Sequence, residues 1–160
     1  NNWESFNVGS NAKMSEITSI LAILHTAKAK EIISERQKIA EKYDRGIKFN
    51  SVFKKFNLPD GSTSSYYKYF IRVEDTNQIK KINNYFDNCG IELPPSTYSY
   101  TCQQQKVCGK DEMDCVYADD LSESKYMTDH HICLPMYNGL SDEEVDFVIS
   151  VTNRYLRGIK

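Results

Sequence analysis

The chain has 160 residues, of which 40% are hydrophobic and 26% charged, and its formal net charge is -2. This length and composition predict one folded domain and exclude a disordered or fibrous chain. The balance of 20 basic against 22 acidic residues disfavours a protein that holds nucleic acid through its phosphates, because such proteins carry a basic excess. We therefore expect no nucleic-acid partner.

The sequence also bears on location. No apolar run approaches the roughly 20 residues that a membrane-spanning helix needs, and the first ten residues lack the basic and apolar regions of a signal peptide. The five cysteines are an odd number in a chain too large to depend on disulfides. We expect a cytoplasmic protein without a membrane partner.

The first predicted element is one long helix from Met14 to about Gly46. Ser15 is its predicted N-cap, and Gly46 is expected to end it in the left-handed conformation. The apolar stripe weakens between His25 and Lys30, which is compatible with a bend. Its apolar positions recur at helical spacing: Ile17, Ile20, Leu21, Leu24, Ile32, Ile39 and Tyr43.

A strand is predicted from Tyr66 to Val73, where aromatic and β-branched residues are frequent. Alternation places Tyr67 on the same face as Tyr69, Ile71 and Val73. Thr76 is the predicted cap of a following helix that ends at Gly90. A short strand is expected from Ile91 to Leu93.

The last third begins with a long polar connection from Pro94 to Lys110, a length more typical of functional loops than of simple turns. A weak helix is predicted over Val116 to Met127 and an edge strand over His131 to Leu134. Ser141 and Glu144 form a capping box at the start of the final helix. This order predicts an α+β fold, with helices packed on a small antiparallel sheet and a long N-terminal helix before it.

A zinc site was weighed because thiolates and imidazoles are zinc ligands. No two of the cysteines have the two-to-four residue spacing of structural zinc sites, so ordinary packing cysteines are the preferred interpretation and no metal is expected. The residues weighed were His130, His131, Cys102, Cys108, Cys115 and Cys133.

The stretch GSNAKMSEI, residues 9–17, is the most informative motif. A glycine loop carrying Asn11 and Lys13 runs directly into a helix N-terminus, where free N–H groups and the helix dipole favour an anion such as phosphate. The alternative is an ordinary capped helix start, at which Lys13 is solvated and no anion is bound.

This stretch resembles the G-x-N-x-R/K-M-S/T-E-I/L signature of the DegT/DnrJ-type sugar aminotransferases, pyridoxal-phosphate enzymes of fold type I. The resemblance continues in order: EIISERQKIAEKYDRGI is similar to the family's long helix, SSYYKYFIRV and NCGIELPP to strand motifs, and HICLPMYNGLSDEEVDFVI to its ending. Together these matches run from about Gly9 to Tyr155.

The resemblance implies that residues 1–13 are the linker from a large cofactor-binding domain that is missing here, and that residues 14–160 are the C-terminal small domain. The large domain carries the lysine that binds pyridoxal 5'-phosphate, so this polypeptide alone is not expected to be active. Asn11 is implied to contact the cofactor phosphate of the neighbouring subunit, with Lys13 as a weaker candidate.

The family's intact enzyme is implied to transfer an amino group, usually from glutamate, to a keto-sugar nucleotide. Tyr98, Gln103 and Gln105 fall in the family's sugar-site loop, although Gln103 replaces the usual His and Thr101 the usual Pro. A homodimer is implied, formed through the large domain and the Gly9–Ile17 region. No catalytic residue is assigned within these 160 residues.

Two other interpretations stay open at this stage. One is a non-catalytic binding or regulatory module that retains the small-domain fold without a cofactor domain. The other is an unrelated α+β binding domain, which would require the ordered motif matches to be coincidental.

Overall fold

A computed structural model of the chain describes residues 13–94, 100–105 and 120–158. Two short 3₁₀ turns, Thr76–Gln78 and Cys102–Gln104, accompany the regular elements. In chain order, the helices and strands of the described residues are α1 Glu16–Ala27, α2 Ala29–Gly46, β1 Phe53–Lys55, β2 Tyr69–Val73, α3 Ile79–Asn88, α4 Ser122–Asp129, β3 His131–Leu134 and α5 Asp142–Gly158.

The three strands form one antiparallel sheet with β2 in the centre. Phe53 of β1 lies opposite Val73, and His131 of β3 lies opposite Arg72. The α+β class and the edge position of the His131–Leu134 strand are therefore confirmed. Strand β1 was not predicted, because three residues with a single apolar side chain carry no alternation to detect.

The core lies on one face of this sheet, where α2, α3 and α5 contribute apolar side chains. Tyr43, Phe53, Phe86, Leu134 and Val145 are among its fully buried members. The final helix begins at the predicted capping box: Glu144 N–H donates to Ser141 Oγ over 3.2 Å, and Ser141 N–H donates to Glu144 Oε2 over 2.8 Å.

The long N-terminal helix is divided in two at Lys28, inside the stretch where the apolar stripe weakens. Lys28 has φ -93° and ψ 0°, and its N–H donates to the carbonyls of His25 and Thr26. Helix α2 buries Ile39, Ala40 and Tyr43, whereas α1 buries no side chain. The two halves of the predicted helix thus have different surroundings.

Two predicted backbone features are wrong. Gly46 is absent from the described residues with positive φ, which include Gly61, Gly90 and Gly139. Its small size matters instead, because a Cβ there would come within 2.7 Å of Ile149 Cδ1. The segment Ile91–Leu93 forms no strand, although Ile91 is buried; the chain follows Gly90 out of α3 without meeting a sheet edge.

The strand that contains Tyr69 also starts later than predicted. Tyr66 has a left-handed φ of 45°, which interrupts extended pairing before β2 begins at Tyr69. Tyr67 is consequently 67% exposed rather than buried beside Tyr69. The predicted cap Thr76 is replaced by Asp75, whose carboxylate accepts from Asn77 N–H.

Candidate functional site

The N-terminus of α1 is the described part of the phosphate-type motif. Ser15 caps the helix by accepting from Thr18 N–H over 3.3 Å, and its carbonyl accepts the first regular helix bond, from Ser19. This leaves the N–H groups of Glu16 and Ile17 available to solvent or to an anion, as at any helix start. Lys13 is exposed nearby, and Asn11 lies outside the described residues.

The turn that carries Gln103 and Gln105 is held by Gln104, which was not predicted as a site residue. Gln104 Oε1 accepts from both the N–H and the hydroxyl of Thr101, each over 2.9 Å. Thr101 is buried, so this box fixes the turn, and Gln103 and Gln105 are half-buried beside it. Tyr98 lies outside the described residues. The sequence does contain a signal for this contact: a threonine followed three residues later by glutamine is the spacing of a capping box.

Tyr67 projects to solvent because of the residue before it. The backbone N–H of Tyr66 donates to Ser64 Oγ over 3.0 Å, and the Tyr66 ring stacks on Tyr69 with centroids 6.3 Å apart. These contacts hold a φ that costs a non-glycine residue about 1–2 kcal/mol. The chain therefore presents Tyr67 as an exposed aromatic side chain at the entry to β2.

The sheet face opposite the core carries a charge network. Glu74 Oε1 lies 2.9 Å from both Lys54 Nζ and Arg72 Nη2, and Tyr126 donates its hydroxyl to Glu74 Oε2 over 3.3 Å. The hydrogen bond from Lys54 and the charge of Arg72 lower the pKa of Glu74. Lys54 and Arg72 meet because the strand register pairs them, a relation that the sequence does not reveal without β1.

A polar cleft of about 640 Å³ opens beside this network. Its three cations are balanced by three carboxylates, since Lys54 and Arg72 share Glu74 and Lys55 pairs with Asp44, and Glu123 also lines the cleft. Its lining residues are Phe49, Asn50, Lys54, Lys55, Phe56, Asn57, Arg72, Glu123 and Met127. We assign it no ligand, because its field does not favour an anion over a neutral molecule.

A second cluster of polar side chains lies at the edge of the core. Tyr69 donates its hydroxyl to Asp44 Oδ1 over 2.6 Å, and Lys55 Nζ lies 2.8 Å from Asp44 Oδ2. Burial, followed by the bond to Asp44, raises the pKa of Tyr69 far above its usual value. Because a buried phenol that resists ionisation is a donor rather than a base at neutral pH, the arrangement is structural.

Within residues 13–94, 100–105 and 120–158, no three His, Cys, Asp or Glu side chains are grouped so that they could hold a metal ion. Cys108 and Cys115 lie outside those ranges. The helices in the described parts of the chain are all too short or too polar to span a bilayer.

Solved aminotransferases are among the structures that this chain resembles. DesV of S. venezuelae superimposes with a TM-score of 0.76 at 14% identity, over 100% of this chain and 41% of DesV. Helicobacter pylori PseC, an aminotransferase of pseudoaminic acid biosynthesis, gives a TM-score of 0.73 at 22% identity over 98% and 41%. TlmJ from Streptoalloteichus hindustanus gives 0.70 at 23% over 90% and 37%.

The chain thus spans about two fifths of the length of these solved structures, and at such identities the likeness concerns the fold. No curated protein sequence matches the chain significantly. The model of the DegT/DnrJ/EryC1/StrS aminotransferase family matches residues 1–152. The resemblance carried by GSNAKMSEI and the later motifs is thereby confirmed, and the chain belongs to the DegT/DnrJ/EryC1/StrS aminotransferase family.

Proposed function

We propose that this chain is the C-terminal small domain of a pyridoxal-phosphate-dependent sugar aminotransferase. The observation that carries the proposal is the family match over residues 1–152, combined with a fold that corresponds to about two fifths of each solved neighbour. In this proposal residues 1–13 link the small domain to a large cofactor-binding domain, and the small domain alone has no transaminase activity.

The residues at the start of α1 suit the phosphate end of the cofactor. The exposed Lys13 supplies a cation, and Ser15 caps only the Thr18 amide, so the next donors at this helix start remain available to an anion. We propose that Asn11 contacts the phosphate in the neighbouring subunit and that Lys13 adds to the local positive charge. Pyridoxal phosphate would supply the electron sink for amino transfer.

The proposed substrates are a keto-sugar nucleotide as acceptor and glutamate as donor. Tyr98, Gln103 and Gln105 are the proposed contacts to the sugar, and the Thr101–Gln104 box supports that assignment by fixing the backbone between the two glutamines. We further propose a cytoplasmic homodimer in which the Gly9–Ile17 region reaches the partner subunit, so that each site draws residues from two chains.

The test uses the complete gene product that contains these residues. We expect it to bind pyridoxal phosphate, with the corresponding absorbance, and to transfer an amino group from glutamate to a keto-sugar nucleotide. In that protein Asn11→Ala should weaken cofactor binding by about 1–3 kcal/mol, the usual cost of losing a hydrogen bond to a charged group.

Asn84→Ala is the matched control, since Asn84 is exposed on α3 and far in sequence from the motif. A confirmed dimer in which Asn11→Ala leaves cofactor affinity unchanged contradicts the Asn11 assignment. A complete gene product that folds without binding the cofactor contradicts the enzyme assignment and supports the non-catalytic module instead.

A further inference from the structure

The loop between β3 and α5 contains the single Asn–Gly step of the chain, Asn138–Gly139. At such a step the backbone nitrogen of the glycine can attack the side-chain amide carbon of the asparagine, because glycine has no side chain to obstruct the ring that forms. Asparagine is among the chemically less durable residues in proteins. This step is therefore the position of the chain at which the covalent structure is most open to spontaneous change.

The main chain at Gly139 leaves room for that reaction. Gly139 is exposed, has a φ of +88°, and a Cβ built on it would meet nothing within 4 Å. The turn is closed by a long backbone hydrogen bond, from Leu140 N–H to the Tyr137 carbonyl over 3.4 Å. Rotation of the main chain here strikes no neighbouring element, so the restraint on the reaction lies in the Asn138 side chain.

The Asn138 side chain is held by three contacts with α2. Its Nδ2 donates to Glu35 Oε2 over 2.7 Å and to the Ile32 carbonyl over 3.2 Å. Its Oδ1 accepts from Arg36 Nε over 3.1 Å. A rotation of the amide towards the Gly139 nitrogen gives up these bonds, and such a rotation requires a local opening of the loop.

We propose that Asn138 is a site of spontaneous deamidation whose rate is set by its contacts with α2. The Gly139 nitrogen loses its proton to solvent and bonds to Asn138 Cγ, the Cγ–Nδ2 bond breaks, and Nδ2 leaves as ammonia. One water then opens the succinimide ring. Attack at Cγ gives aspartate, and attack at the backbone carbonyl carbon gives isoaspartate, in which the side-chain methylene has entered the main chain. One water is consumed and one ammonia is released, with no oxidation or reduction.

The acid does not fit the position that the amide occupied. A carboxylate has no N–H to donate, so the Ile32 carbonyl loses its donor and Glu35 Oε2, now 2.7 Å from Nδ2, faces a second carboxylate. Two like charges this close disfavour each other, and Arg36 is a single cation between them. Deamidation therefore loosens the loop before α5 from α2, and the loss of ammonia makes the change irreversible.

Timed incubation of the protein at neutral pH and physiological temperature tests the site. Peptide mass spectrometry measures the conversion of each asparagine to the acid, and enzymatic methylation detects isoaspartate. We expect Asn138 to be the first asparagine converted. Its rate in the folded protein should be at least about tenfold lower than in the protein unfolded in guanidinium chloride, because the folded loop opens rarely.

Substitutions on α2 test what sets the rate. Glu35→Ala with Arg36→Ala removes two of the three contacts and should accelerate conversion of Asn138 at least about fivefold. Glu41→Ala with Arg45→Ala is the matched control, because it removes an exposed glutamate–arginine pair from the same helix. The control pair should leave the rate unchanged.

Two more proteins separate loop opening from global unfolding and test the consequence. Tyr69→Phe weakens the fold at the Asp44 contact without touching the loop, so it should accelerate conversion of Asn138 less than the Glu35 and Arg36 substitutions do. Asn138→Asp imitates one product and should lower the melting temperature. Adding Glu35→Gln should recover part of that loss, because glutamine can donate to the new carboxylate.

Several results would overturn the proposal. Absence of acid at Asn138, or earlier conversion of another asparagine, contradicts the site. Equal rates in folded and unfolded protein, or equal acceleration by the control pair or by Tyr69→Phe, show that the contacts with α2 do not set the rate. An Asn138→Asp protein as stable as wild type contradicts the loosening of the loop.

Discussion

Tyr69 of β2 donates its hydroxyl to the carboxylate of Asp44, near the end of α2, over 2.6 Å. Lys55 of β1 pairs with the other oxygen of the same carboxylate over 2.8 Å. One side chain of α2 is thus shared by the two strands that the helix covers. The sheet and the helix are held in one relative position by a polar contact at the edge of an apolar core.

Removing the phenol hydroxyl tests the strength of this contact. Tyr69→Phe should lower the free energy of unfolding by about 1.5–3 kcal/mol, because it deletes a hydrogen bond to a charged group and leaves Asp44 with Lys55 alone. Urea unfolding followed by circular dichroism measures the change. Tyr67→Phe is the control: Tyr67 is 67% exposed and should change stability by less than about 0.5 kcal/mol. Equal effects of the two substitutions would show that the Asp44 contact contributes nothing.

The Glu74 network predicts a dependence on pH. Contacts with Lys54 and Arg72 lower the pKa of Glu74 from its ordinary value of 4.5, so the folded state binds this proton more weakly than the unfolded state does. The stabilisation is therefore complete above about pH 4.5 and is lost as the pH falls through the lower folded pKa. Glu74→Gln should lower the melting temperature at pH 7, and the difference from wild type should shrink at pH 3.

Glu41→Gln is the matched control for that series. Glu41 forms an exposed i,i+4 pair with Arg45, and such pairs contribute little. Its substitution should change the melting temperature less than Glu74→Gln does at pH 7. A Glu74→Gln deficit that is as large at pH 3 as at pH 7 would mean that the carboxylate charge is not the source of the stabilisation.

Local patterns could be predicted from the sequence, and long-range ones could not. Ser141 and Glu144 lie three residues apart, so their capping box can be recognised from the sequence alone. The edge strand ending at Leu134 likewise follows from a short apolar run. Strand β1 becomes a strand only by pairing with β2, and its residues Phe53, Lys54 and Lys55 carry no periodic signal.

The same limit applies to the candidate site. The resemblance of residues 9–17 identifies the family, because a motif is local. The Asp44–Tyr69 contact joins residues 25 positions apart, and Tyr67 turns outward because of the φ of Tyr66, which no propensity of tyrosine indicates. The division of the long helix at Lys28 was only suggested by a weakened stripe, because an apolar pattern does not report backbone angles.

Asn138 fixes the loop before α5 against α2. It donates to Glu35 Oε2 over 2.7 Å and to the Ile32 carbonyl over 3.2 Å, and it accepts from Arg36 Nε over 3.1 Å. Asn138→Ala should lower the free energy of unfolding by about 1–3 kcal/mol, because it removes three hydrogen bonds of a half-buried amide and leaves their other partners to be solvated by water. Chemical denaturation measures this.

Asn84→Ala again serves as the control, since it replaces an exposed asparagine within α3 by a better helix former. It should be neutral or stabilising by a few tenths of a kcal/mol. An Asn138→Ala protein as stable as the Asn84→Ala protein would mean that the loop is held by the packing around Leu140 rather than by the amide.

The role of Gly46 is close packing rather than backbone freedom. A Cβ at this position would lie 2.7 Å from Ile149 Cδ1 and 2.9 Å from its Cγ2. The carbonyl of Gly46 also accepts from Asn153 Nδ2 over 2.8 Å, so α5 is held against the end of α2 one turn after Ile149 as well. Gly46→Ala should therefore destabilise the fold by about 1–3 kcal/mol, the usual cost of overpacking.

Alanine's better helix propensity would by itself favour this substitution by up to about 1 kcal/mol, so the sign of the change decides between the two effects. Gly158→Ala supplies the comparison, since Gly158 is also helical and a Cβ there meets nothing within 4 Å. It should be neutral or slightly stabilising. The double substitution Gly46→Ala with Ile149→Val removes one methyl group from the crowded side chain and should recover part of the loss. A stabilised Gly46→Ala protein would show that α5 can move away from α2 at no cost, and that the close approach of the two helices is not required by the fold.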